Sequence, residues 1–175
     1  MLPFLNSDHT NSDRLLVFNE SDMSTLQQQL EQLVLAAEQG HWSNAVLLSE
    51  DLLKHAPRAL SVLEIYASAL AQLGRTVEAI DVYQRALTLG HPPFKVCEGV
   101  GTAFLLQHQY KEAIDNFNMA LSLEPQSPHI HQKLVIAYKE TGAFHKALSS
   151  AKVVFQHTPN EPQTLNNIAT MYKNI

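Results

Sequence analysis

The chain lacks most of what reactive, secreted or nucleic-acid-binding proteins depend on. Its 175 residues include one cysteine, Cys97, so no intramolecular disulfide can form and a cysteine-rich zinc site is excluded. Only 6 glycines and 8 prolines occur, too few for a collagen-like or low-complexity chain. Charged residues make up 17%, and the 12 Lys and Arg are outnumbered by 17 Asp and Glu, leaving a net charge of −5. A nucleic-acid binder needs the opposite balance. No apolar run approaches the roughly 18 residues needed to cross a bilayer. The N-terminus, from Met1 to His9, shows no basic stretch ahead of an apolar one, which predicts that no secretory signal is present. What is abundant is apolar content, 45% of the chain, which suits a packed core. Leu and Ala, both strong helix formers, supply about a quarter of all residues. These features predict a soluble, cytoplasmic, all-α protein.

Self-comparison shows a gapless repeat. Ala45, Ala79, Ala113 and Ala147 are spaced by 34 residues. The column after them reads Val46, Ile80, Ile114 and Leu148, and the column three residues before reads Trp42, Thr76, Tyr110 and Phe144. Five residues before the alanines stand Gly40, Gly74, His108 and Gly142. Pro57, Pro125 and Pro159 close three of the units, with His91-Pro92 in the other. So many columns at one period point to an array of identical supersecondary units.

Each unit holds two apolar patterns of helical period split by a short polar turn. Cys97, Val100, Gly101 and Phe104 fall at i, i+3, i+4 and i+7, one face of a helix. After the turn at His108-Gln109, Ala113, Phe117, Ala120 and Leu121 form a second face. So short a turn allows only an antiparallel pair. The spacing predicts nine helices, near 24–38, 43–55, 59–73, 76–89, 93–106, 110–123, 128–141, 144–157 and 162–174. The repeated alanines, with Ala67 and Gly101, mark where paired helices cross closely, and Tyr83 and Phe117 fill the space between units. In the first unit the apolar set Leu30, Leu33, Val34 and Ala37 is shifted by one residue toward Gly40, and Ser49 takes the place of the aromatic. Ser24 and Gln27 read as a capping box that opens the first helix.

The pattern L/V-G/A-x-x-Y/F, then A-x-x-x-F/Y, then P, resembles the tetratricopeptide repeat (TPR). It is carried here by Val100 to Phe104, Ala113 to Phe117, and Pro125. The resemblance covers four units, 26–59, 60–93, 94–127 and 128–161. Residues 162–175 match the first helix of a fifth unit through Leu165, Ile168, Ala169 and Tyr172, or else serve as a capping helix. Residues 1–23 stand outside the array as a polar leader, expected to be partly disordered. The resemblance implies a right-handed solenoid of antiparallel helix pairs.

Motifs for chemistry are missing. There is no P-loop, no H-E-x-x-H, no G-x-S-x-G and no G-x-G-x-x-G. His129 and His131 are two residues apart and cannot share a helical face, so the nine histidines read as structural or surface residues and not as metal ligands. Cys97 reads as a buried, inert thiol. No cofactor, metal or catalytic residue is expected.

The family resemblance implies that the first helix of each unit lines a concave groove. Carried over by repeat position, the candidate groove residues are Glu64 and Ser68 in the second unit, and Lys95, Glu98, Thr102 and Leu105 in the third. The fourth contributes His129, Gln132, Ile136 and Lys139, and the last helix Asn166, Thr170 and Lys173. Two ligand codes known in the family are absent. The carboxylate clamp of chaperone adaptors is matched only at Lys95, and the asparagine ladder of sugar transferases only at Asn167. The expected function is a non-catalytic module binding a protein or peptide, with apolar contact at Leu105, Leu106 and Ile136, an acidic early groove at Glu64 and Glu98, and a basic late groove at Lys139 and Lys173. Two alternatives share the same repeats. One is the substrate-recruiting arm of a larger glycosyl- or sulfotransferase cut at Ile175. The other is a self-assembling scaffold, a homo-oligomer formed through the open C-terminal helix.

Overall fold

The computed structural model describes residues 20–159 and 162–174. Among them are nine helices and no strand: α1 (Glu20–Glu38), α2 (Trp42–His55), α3 (Leu60–Gln72), α4 (Thr76–Thr88), α5 (Pro93–Leu106), α6 (Tyr110–Leu123), α7 (Pro128–Glu140), α8 (Phe144–His157) and α9 (Pro162–Asn174). From α2 onward every boundary lies within one residue of the expected position. The exception is α1, which starts at Glu20. Ser24 is therefore inside the helix and cannot be its cap, and the last residues assigned to the leader are helical. The expectation of disorder over 1–19 lies outside the described residues.

Prolines at the first turn of α5 and α7 cost no hydrogen bond, because those N–H groups have no intrahelical partner. The turns inside each pair are closed by backbone, without side-chain caps. At each one a residue with positive φ ends the first helix: Gly40 (71°), Gly74 (77°), His108 (58°) and Gly142 (73°). The next N–H then reaches back to an orphan carbonyl, as from Arg75 to Leu70 (2.9 Å) and from Gln109 to Phe104 (3.0 Å). Three of the four positions use glycine because a Cβ is strained there. His108 accepts the strain, and its Nδ1 pairs with the Tyr110 hydroxyl at 2.8 Å.

The helices stack in chain order. Each packs on the one before it, and the odd-numbered helices also touch one another, α1 with α3, α3 with α5 and α5 with α7. The even-numbered helices make no comparable contact with one another. The stack therefore curves, with the odd-numbered helices on its inner side. Ala45, Ala79, Ala113 and Ala147 are fully buried where the paired helices cross, as their column requires. Phe117 is also fully buried, and Tyr83 is part of a small cluster with Ala67, Val96 and Val100 that joins the second unit to the third.

Two further columns hold each odd helix to the preceding unit. One reads Val62, Val96, Ile130 and Thr164, the other Ala69, Ala103, Ala137 and Met171, and all eight are buried. They correct the reading of α9. Its buried face is Thr164 and Met171, whereas Leu165 (48% exposed), Ala169 and Tyr172 (60% exposed) are open. Those open positions correspond to Cys97, Gly101 and Phe104, which face the second helix of their own unit, and no such helix follows α9 among the described residues. The first unit is corrected as well. Leu33 and Ala36 are buried, in step with Ala67 and Leu70, and Leu30 and Val34 are exposed, so the register is unshifted. Cys97 is half-buried beside the core and not fully buried. Burial pushes its thiol pKa up.

Candidate functional site

On the inner side, α5 places Lys95, Glu98 and Thr102 on one face, at i, i+3 and i+7. Glu98 is the centre of the arrangement, with a side chain only 10% exposed. A lone carboxylate so buried would be costly. Here it is surrounded: Lys133 Nζ lies 3.2 Å and His129 Nε2 3.1 Å from Oε1, and Lys95 Nζ lies 3.4 Å from Oε2. Lys133 also donates to Thr102 Oγ1 at 2.8 Å, and that hydroxyl donates to the Glu98 carbonyl at 2.8 Å. Two helices are thereby tied together through one acid. Burial pushes the Glu98 carboxyl pKa up, but Lys133, Lys95 and His129 outweigh it and hold the group below the usual range. The His129 imidazole is pushed down by burial and by Lys133, against the pull of Glu98.

A cavity of about 230 Å³ opens beside this network. Glu64 and Ser68 of α3 form its other wall, and Tyr83 of α4 reaches it past Gly99. Burial first, then Glu64 and Glu98, push the Tyr83 phenol pKa strongly up, so it stays a neutral O–H donor. The Glu64 carboxylate is about half exposed, and its nearest cation-forming neighbour is His91 Nε2 at 3.7 Å, beyond hydrogen-bond range. His91 is nearly buried and its Nε2 is unpartnered.

Of the residues placed in the groove from sequence, Glu64, Ser68, Lys95, Glu98, Thr102 and His129 converge on this cavity. Leu105 does not, being half-buried against the core of the third and fourth units. Gln132 lines a separate crevice with Val135 and Asn167. Ile136 is 48% exposed, Lys139 and Thr170 are half-buried, and Asn166 and Lys173 are exposed, all away from the cavity. The early groove is less acidic than expected, because Glu98 is neutralised and only Glu64 remains open. Sequence reasoning missed Lys133, Tyr83 and Gly99 as cavity residues. Lys133 had a signal, since it lies one helical turn after His129. Among the described residues no group of three or more His, Cys, Asp or Glu side chains is placed to hold a metal, and no helix is long and apolar enough to cross a membrane.

Residues 30–91 match the tetratricopeptide repeat family model. That segment, about a third of the chain, carries tetratricopeptide repeats. The TPR architecture extends beyond the matched segment, because α5 to α9 keep the period, turns and buried columns of α1 to α4. A similar solved structure is the MamA protein, at 18% identity with a TM-score of 0.67, over 87% of this chain and 83% of that one. MamA 41-end from Desulfovibrio magneticus RS-1 is also similar, at 18% identity and a TM-score of 0.65, over 85% of this chain and 90% of that one. At such identity these show the shared fold. Among curated proteins, BBSome complex member BBS4 of Bos taurus is 25% identical over 117 residues, 66% of this chain and 22% of that protein. The chain thus spans about a fifth of the length of that relative.

Proposed function

We propose that these repeats form a non-catalytic, cytoplasmic protein-interaction module that holds an extended peptide or protein segment on the concave side made by α1, α3, α5 and α7. One observation carries this reading. Side chains from three successive inner helices, α3, α5 and α7, converge on a single polar cavity. Repeat arrays commonly bind through such a surface, and the BBS4 relative is by name a member of a complex. Glu64, Ser68, Lys95, Glu98, Thr102 and His129 form the central floor. Gln132, Ile136 and Lys139 continue it, and Asn166, Thr170 and Lys173 end it. Apolar contact at Ile136 supplies affinity, and Lys139 with Lys173 attracts an acidic end of the ligand. Charges like these are screened beyond about 8 Å at physiological salt, so they set orientation and on-rate more than affinity.

The test is selection of a phage-displayed random peptide library on the full chain, followed by binding of the enriched peptides to variants. Ile136→Asp is expected to abolish binding. Lys139→Glu with Lys173→Glu is expected to weaken it and flatten its salt dependence. Val77→Asp, on the exposed side of α4, is expected to leave it unchanged. The opposite pattern overturns the concave-face reading.

A second reading, self-assembly, is favoured by the open stripe Leu165, Ala169 and Tyr172 on α9. Sedimentation velocity across a concentration series decides it: a mass that rises with concentration in the parent and not in Tyr172→Asp supports assembly through α9.

A further inference from the structure

The corrected register of α1 exposes a feature of the inner surface. Leu30 and Val34 stand 34 residues before Glu64 and Ser68, so they hold the same inward positions one unit earlier. Both are open, Leu30 at 37% and Val34 at 40%, although Leu33 and Ala36 beside them are buried. Since α1 touches α3, this aliphatic shelf borders the wall that carries Glu64.

Glu64 is the one carboxylate in the cavity without a hydrogen bond or a lysine, whereas Glu98 already has three partners. The Tyr83 hydroxyl reaches the same cavity and makes no hydrogen bond among the described residues. An open carboxylate next to an unused hydroxyl suits an ammonium or guanidinium group. Lys95 and Lys133 are both engaged by Glu98, at 3.4 and 3.2 Å, and neither pairs with Glu64.

We propose that the first half of the groove recognises a partner segment bearing an aliphatic side chain and a Lys or Arg three residues apart, the aliphatic group on Leu30 and Val34 and the cation on Glu64. The spacing follows from geometry. Neighbouring packed helices lie about 8–10 Å apart, and extended chain advances about 3.3 Å per residue, so about three residues bridge the two sites. This inference rests on the concave-face reading and adds the chemistry of the partner.

The same library selection tests it on the full chain. Enriched peptides are expected to share an aliphatic and a basic residue three apart. Their affinity should fall about tenfold in Glu64→Gln, about the loss expected for one charge-assisted contact, and by a similar factor in Val34→Asp. Circular dichroism checks that both variants, changed only at open positions, stay helical. Two results overturn the proposal: enriched peptides without that pairing, or peptides whose binding ignores both substitutions. If such peptides still respond to Ile136→Asp, the concave-face reading survives and only this inference fails. If they respond to neither set but to Val77→Asp, both fail. A library that enriches nothing also counts against both.

Discussion

The phenol ring of Tyr83 occupies the space that a side chain on Gly99 would need. The two residues lie on consecutive helices of different units, so this close fit is what brings the second unit onto the third. An analogous fit joins Phe117 and Gly101 within the third unit, where an added Cβ would come within 2.7 Å of the Phe117 ring. The two fits differ in what lies behind them. Tyr83 borders the cavity, whereas Phe117 is fully buried.

That difference predicts unequal costs. In Gly101→Ala the Phe117 ring has nowhere to go, and the overpacking should cost about 1–3 kcal/mol. In Gly99→Ala the ring of Tyr83 can swing into the cavity, and Ala gains up to about 1 kcal/mol of helix propensity, so the net change should be smaller. Denaturant midpoints of the two variants check the order. Ala113→Leu, at the crossing of α5 and α6, should lose about 1–3 kcal/mol for the same reason as Gly101→Ala.

A second prediction concerns the turn after α5. His108 holds a φ of 58° where the other three units use glycine. The left-handed conformation costs a side-chain-bearing residue about 1–2 kcal/mol. His108→Gly gives up the exposed bond to Tyr110 but relieves that strain, so the thermal midpoint should rise. A drop would mean that the Tyr110 contact outweighs the backbone term.

Acid should weaken the fold in two stages. The His129 imidazole pKa lies below its ordinary 6.5, lowered by burial and by Lys133, so the unfolded chain takes up its proton first. Stability therefore declines as pH falls through about 6.5. The Glu98 carboxyl pKa is held below its ordinary 4.5, because Lys133, Lys95 and His129 outweigh burial. Its contribution is complete above 4.5 and is lost as pH falls through the lower folded-state value. Urea midpoints of Glu98→Gln and the parent should therefore differ more at pH 7 than at about pH 3. An equal gap at both would show that the carboxylate charge does not matter to the fold.

The last helix offers a contrast of neighbours. Met171 is fully buried against the fourth unit, so Met171→Ala should cost about 2–5 kcal/mol of local stability. Leu165 is about half exposed, and Leu165→Ser should change stability by no more than about 0.5 kcal/mol. Hydrogen exchange over 162–174 reads both.

From α2 onward the helices and their boundaries were legible in the sequence, because the alanine column marks every crossing and the glycine column, with His108 in one unit, marks the turn inside each pair. The misreadings came at the two outer units. There one neighbour is missing among the described residues, so apolar residues are open and mimic a core stripe: Leu30 and Val34 in α1, Leu165 and Tyr172 in α9. The inward positions were legible from repeat position alone, and six of them do meet in one cavity. The state of Glu98 was not. Pairing with Lys133 depends on how α7 lies against α5, and no single-helix pattern contains that.

The stack also has a consequence for how the chain is made. Every substantial helix contact joins elements one or two apart in order. No segment waits for a distant partner before it can pack, so contact order is low and loop-closure cost is small. As the polypeptide leaves the ribosome, α1 to α3 can pack before α9 has been translated, and each later helix finds its docking surface already built.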